Sequence, residues 1–112
     1  MFLKKEHIEG GGSIIILTGR FDLQAVVEIG DEFTSQVTEG SGVIIDMRGV
    51  NFMASVAIRL LITSAKQNAA KGGRMVMYGA DPLIMESLSV SGITKLIPLF
   101  EDYPAAVAAV NH

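Results

Sequence analysis

The chain has 112 residues, 49% of them hydrophobic, a formal net charge of −3 and no cysteine. That length reads as one domain, able to bury roughly two-thirds of the surface its unfolded chain exposes. Without cysteine there are no disulfides or thiolate metal sites, as suits a reducing cytoplasm, and without a basic cluster nucleic acid has no electrostatic foothold. No apolar run approaches the ~18 residues of a membrane span. The N-terminus, MFLKKEHIEGGG, carries lysines but no long apolar region behind them, so it does not read as a signal peptide. His7 stands in a polar segment and His112 is terminal, and neither has a neighbour at ligand spacing.

In chain order, Phe2 to Ile8 is a weakly patterned edge strand and Gly10-Gly11-Gly12 a turn. No Gly-Lys-Ser/Thr follows those glycines, so they read as a hairpin rather than a phosphate loop. Ser13 to Thr18 is a second strand, antiparallel to the first. Asp22 reads as the N-cap of a helix with apolar Leu23, Val26, Val27, Ile29, Phe33 and Val37, and Glu39-Gly40-Ser41-Gly42 stops it. Val43 to Met47 is a short apolar run suited to a central strand buried on both faces. Arg48 to Ala54 then turns the chain towards a helix from about Ser55 to Ala70, with Ile58, Leu61, Ile62, Ala65 and Ala69 on one face.

Lys71-Gly72-Gly73 closes that helix, and Arg74 to Tyr78 is another buried strand. Asp81-Pro82 starts a helix with Leu83, Ile84, Leu88 and Val90 facing inward, ended by Ser91-Gly92. Lys95 to Leu99 is a short last strand, placed at an edge by Pro98. Glu101-Asp102-Tyr103-Pro104 opens a small alanine-rich helix to Val110. The order β-β-α-β-α-β-α-β-α implies right-handed crossovers. The expected fold is α/β, a mostly parallel sheet of four or five strands with an antiparallel N-terminal strand and about four helices.

The stretch Phe52-Met53, Ser55, Ile58, Leu60 and Leu61 resembles the signature loop of STAS domains, the fold of bacterial anti-sigma-factor antagonists and of the cytoplasmic tails of sulfate-type transporters. Leu17-Thr18-Gly19 with Asp22, Gly72-Gly73, Pro82 and Ser91-Gly92-Ile93 with Phe100 are similar to the family at their places, so the resemblance covers nearly the whole chain as one domain, residues 1–112. It implies that Ser55 falls on the serine phosphorylated by a partner kinase. It implies a partner surface at Asp22, Asn51, Ala54, Ser55 and Arg59, and an anti-sigma factor or other regulatory protein as the partner. The antagonist signature runs roughly Phe-Met-Asp-Ser-Ser-Gly-Leu-Gly. Here Ala54 stands for its aspartate, Val56 for its second serine, and Ala57 and Arg59 for its glycines. That combination implies a retained fold with an altered partner or altered control, and leaves a non-phosphorylated interaction module of a transporter or signalling assembly as the alternative.

Read without the family, Ser55 at a helix start is equally an N-cap. A phosphate there would be held by free backbone N–H groups and the positive end of the helix dipole. An enzyme would need a nucleophile with a base, a paired acid and base, or a metal. Ser55 has no histidine near it in sequence. Asp22, Asp46 and Asp81 would suggest a divalent-cation site only if they converged at the strand ends, and two of them are explained as caps. The chain therefore reads as a binding module, not an enzyme, with no cofactor and no metal.

Overall fold

The computed structural model describes residues 1–37 and 41–111. Five strands and four helices alternate as expected: β1 (Phe2–His7), β2 (Ser13–Phe21), α1 (Leu23–Val37), β3 (Gly42–Met53), α2 (Ser55–Ala70), β4 (Arg74–Tyr78), α3 (Pro82–Ser91), β5 (Leu99–Phe100) and α4 (Tyr103–Val110). The strands form a single sheet in sequence order, β1-β2-β3-β4-β5. β1 is antiparallel to β2, and every other pair is parallel. β3 is the central strand, and Val43 to Met47 is buried throughout.

The two sheet faces are covered unequally. Ile15, Leu17, Val43, Ile45, Met47, Met75 and Met77 point to one face and meet the buried sides of α1, α2 and α3. Ile14, Ile44 and Val76 point to the other, where Ala106 and Val110 of α4 pack on them. At the end of α4 the chain runs against the start of β3. A Cβ on Gly42 would lie 2.6 Å from the Val110 carbonyl oxygen, so only glycine fits there.

β3 is longer than its apolar run announced. Residues 48–53, expected as a turn, continue the ladder with β2. The register explains why. Ile16 pairs with Asp46 and Thr18 with Gly49, so Met47-Arg48 oppose Leu17 alone. Gly19 pairs with Val50 and Arg20 with Phe52, which leaves Asn51 unmatched. Each is a bulge that adds one residue to β3. The buried positions therefore recur every third residue, at Met47, Val50 and Met53, where a regular strand would alternate.

Other expectations need correction. The inward stripe of α2 is Ala57, Leu61, Ser64, Ala65 and Asn68, one position round from the expected one, and Ala69 is exposed. Two polar residues lie inward because they bond to the neighbouring segment. The Asn68 amide donates to the carbonyls of Val37 and Ser41, and the Ser64 and Thr34 hydroxyls are 3.4 Å apart. On α1, Leu23 and Val27 are exposed, and on α3 so are Leu83 and Val90; α3 buries only Ile84 and Leu88. The strand expected at Lys95–Leu99 is mostly irregular: the 3₁₀ turn Ile93–Lys95 ends at its first residue, and β5 begins only at Leu99. Ile93 and Ile97 are both buried, and the Ile97 N–H donates to the Ile93 carbonyl, closing a helical turn. Pro98 still serves the edge through its carbonyl, which accepts from the Met77 N–H at 2.8 Å. Of the expected helix stop, Glu39 and Gly40 lie outside the described residues, and Gly42 already belongs to β3.

Candidate functional site

The two bulges carry β3 past the end of β4, so that Asn51, Phe52 and the start of α2 stand out at the carboxyl edge of the sheet. Ala54 is the residue before the helix, in extended conformation at φ −87° and ψ 160°, and it offers no side-chain cap. Its own N–H donates to the Phe21 carbonyl at 2.9 Å, tying the start of α2 to the end of β2. This bond places Ala54 and Ser55 beside the corner where Asp22 opens α1.

Ser55 is the first helical residue, within one position of the expected start, and it is exposed. It is not the cap that an isolated reading allows, since Ala54 holds that position. The first amides of a helix lack intrahelical partners, and here no side chain supplies one. The hydroxyl of Ser55 thus stands at the positive end of a 16-residue helix whose N-terminus is uncapped. Arg59 is exposed one turn along the same face, about 5–6 Å away at Cβ by helix geometry. Among the described residues Arg59 makes no ion pair. Asn51, at the second bulge, is exposed as well.

Beside Ser55 is a groove of about 420 Å³ between the start of α2 and the second half of α3. Met53 and Ile58 line it on one side, and Glu86, Ser87, Val90 and Ser91 on the other. The α3 residues were not legible as part of a site. Their one signal was Val90, an apolar residue on a helix whose inward face Ile84 and Leu88 already fill; it is 83% exposed. Phe52 was legible as a signature residue but its partner was not. The Arg20 guanidinium lies 4.2 Å from its ring centroid.

Asp22 does cap α1, its carboxylate accepting from the Ala25 N–H at 3.0 Å, and it pairs with Arg20 at 3.6 Å. The Ala25 bond, aided by Arg20, holds its pKa below the ordinary 3.8. Asp81 caps α3 through the Ile84 N–H at 2.9 Å. Asp81→Ala is expected to cost about 0.5–2 kcal/mol in chemical denaturation, and Asp22→Ala to lower the melting temperature too. Because the folded pKa of Asp22 is depressed, its contribution is complete above the unfolded pKa and is lost as pH falls through the folded one. Wild type and Asp22→Ala should therefore converge in melting temperature at low pH; a constant gap down to low pH would mean that the cap is not ionic.

The three aspartates do not converge. Asp46 is only 2% exposed, lies in mid-strand rather than at a solvated strand end, and is bound to Arg48 on the sheet face opposite the α1–α3 layer. No group of three or more His, Cys, Asp or Glu side chains among the described residues is placed to hold a metal ion. What the arrangement offers is a surface: an exposed serine on a bare helix N-terminus, an exposed arginine behind it, and a groove of mixed character alongside.

Comparison with known proteins agrees with this fold. The family model described as STAS domain matches residues 3–106. The Bordetella bronchiseptica protein named "Putative anti-sigma factor antagonist BtrV" is 26% identical over 110 residues, covering 97% of this chain and 94% of that protein. Among solved structures, an anti-sigma factor antagonist from Mycobacterium paratuberculosis superposes with a TM-score of 0.87 at 20% identity, covering 99% of this chain and 94% of that one. A STAS domain protein from Planctomyces limnophilus gives 0.84 at 24% identity, covering 98% of each chain. At those identities the structural likeness speaks for the fold.

Proposed function

The chain belongs to the STAS domain family, and from that premise we propose that it is an anti-sigma-factor antagonist, a cytoplasmic bacterial module that binds a regulatory protein rather than catalysing a reaction. Ser55 is its phosphorylation switch. The observation that carries this reading is the exposed Ser55 hydroxyl on the uncapped N-terminus of α2, next to the Met53–Ile58–Val90 groove. The partner is an anti-sigma factor with serine kinase activity, docking over Asn51, Ala54, Ser55 and Arg59 with Asp22 at the margin. Transfer of the γ-phosphoryl group of ATP to the Ser55 oxygen, with ADP leaving and the serine proton passing to a base on the kinase, adds nearly two negative charges where an uncharged hydroxyl stood. The uncapped amides hold the phosphate in place, and the partner, built for the neutral serine, leaves.

No helix among the described residues is long and apolar enough to cross a membrane. Ala54, where the antagonist signature has an acid, favours the second reading, a module that binds without being phosphorylated. The discriminating experiment incubates the full chain with candidate anti-sigma kinases from its own bacterium, with ATP, and follows Ser55 by peptide mass spectrometry and the complex by calorimetry. Phosphate on Ser55 with loss of the complex is expected. A stable complex whose affinity does not change with ATP, and no phosphate on Ser55, would leave the second reading standing.

A further inference from the structure

The sheet face opposite the α1–α3 layer carries a second feature, unconnected to Ser55. α4 covers only part of that face. Beside it is a cleft of about 300 Å³ floored by Ile14 and Ile16, walled by Arg48, Tyr78 and Tyr103, with Glu6 at its rim. That is the low end of the roughly 300–1,000 Å³ typical of ligand pockets. Tyr78 and Tyr103 meet edge to face at 5.6 Å.

Arg48 is held there with unusual care for an exposed side chain. Its Nε donates to both carboxylate oxygens of Asp46, at 3.1 and 3.2 Å, and its Nη2 to one of them at 2.8 Å. Its guanidinium lies 5.2 Å from the Tyr78 ring centroid. Its stem lies against the backbone of Gly79, where a Cβ would come within 2.5 Å of Arg48 Cγ. The first bulge of β3 aims it, and Asp46 also accepts the Arg48 backbone N–H, at 3.0 Å. The pairing satisfies the buried Asp46 carboxylate, while Arg48 itself stays 63% exposed. What the buried carboxylate, the ring and the glycine accomplish together is to fix one planar cation. Among the described residues only its Nε and Nη2 bond to Asp46, which leaves Nη1 for a ligand in the cleft that Arg48 lines.

A fixed guanidinium fork with free N–H groups matches an oxyanion, and a carboxylate above all. The isoleucine floor and tyrosine walls match a flat or apolar body. The tyrosine hydroxyls have no partner among the described residues and supply further donors. Glu6, which would repel an anion, stands at the rim with Lys4 paired to it at 3.3 Å. We propose that the Arg48–Tyr78–Tyr103 cleft is a binding site for a small organic carboxylate of about one ring, on the sheet face away from Ser55. It does not depend on the function proposed for Ser55.

The test is titration of the full chain with sodium benzoate, followed by amide chemical shifts. Saturable shifts confined to residues 14–16, 46–49, 78–79 and 103–105 are expected. Arg48→Lys keeps the charge but loses the fork, and should weaken binding at least tenfold at a temperature where its amide spectrum away from the cleft still matches wild type. Tyr103→Ala, at an exposed position, should weaken it too. Ser55→Asp should bind benzoate like wild type, which separates this site from the partner surface. Inorganic phosphate binding as tightly as benzoate would overturn the organic part of the proposal. Unsaturable or scattered shifts, or full affinity in Arg48→Lys, would overturn the site.

Discussion

Phe33→Ala is expected to cost about 3–5 kcal/mol, the usual loss for a fully buried aromatic. Phe33 has no exposed surface and meets the equally buried Phe21 edge to face at 6.4 Å, with Ile29 and Val37 in the same cluster. The two rings join α1 to the last residue of β2, so removing one leaves a void between a helix and a strand that cannot both move inward. Domains of this size are stable by only ~5–15 kcal/mol, so the variant should melt many degrees lower. The midpoint in urea should fall with an unchanged slope. A loss under about 1 kcal/mol would mean that the neighbours refill the void. A second effect follows from the Phe21 carbonyl, which accepts the Ala54 N–H at the start of α2. When Phe21 loses its packing partner, the segment that presents Ser55 loosens, and partner affinity should fall even at temperatures where the variant is folded.

Ser55→Asp should weaken the partner complex at least tenfold, about 1.4 kcal/mol, while leaving the protein as stable as wild type or slightly more so. The opposite signs have one cause. A carboxylate on the first residue of an uncapped helix is favourable by about 0.3–1 kcal/mol, and the same charge at the groove repels a partner shaped for a neutral serine. A variant that lost affinity because it unfolded would not show that combination. Arg59, one turn behind Ser55, should partly offset the new charge. In a double-mutant cycle on partner affinity, Ser55→Asp and Arg59→Ala are expected to couple by more than about 0.5 kcal/mol. Effects that add within about 0.3 kcal/mol would remove Arg59 from the switch. If neither substitution altered affinity, the partner would dock elsewhere.

The parts of this molecule that sequence reveals are those governed by short-range rules. The run Val43 to Met47 announces a strand covered on both faces, and Asp22 and Asp81 announce helix starts because a carboxylate one position before a helix has one good use. Ser55 at the helix start follows from the change of period after Met53. What sequence hides is set by contacts across elements. Residues 48–53 look like a turn because two bulges make the buried positions recur every third residue. Ser64 and Asn68 look like surface, yet lie inward because α1 and the segment after it give them partners. Leu83 and Val90 look like core, yet Ile84 and Leu88 fill the inward face of α3 and leave them in solvent. Asp46 reads as an ordinary carboxylate until Arg48, aimed by a bulge, is seen to bind it.

The unequal covering of the sheet has a consequence for how the molecule comes apart. α1 to α3 share one large cluster, so they are expected to open together at close to the full cost of unfolding. α4 is an eight-residue helix whose buried residues are Ala106 and Val110, and the strand before it has only two residues. It is therefore the first segment to detach, and its amides exchange with solvent through local opening while the parallel strands stay protected. Detachment bares Ile14, Ile44 and Val76 on a sheet that is otherwise intact. The species most prone to self-association is then a nearly native one, and its population follows the docking of one short helix rather than the stability of the whole.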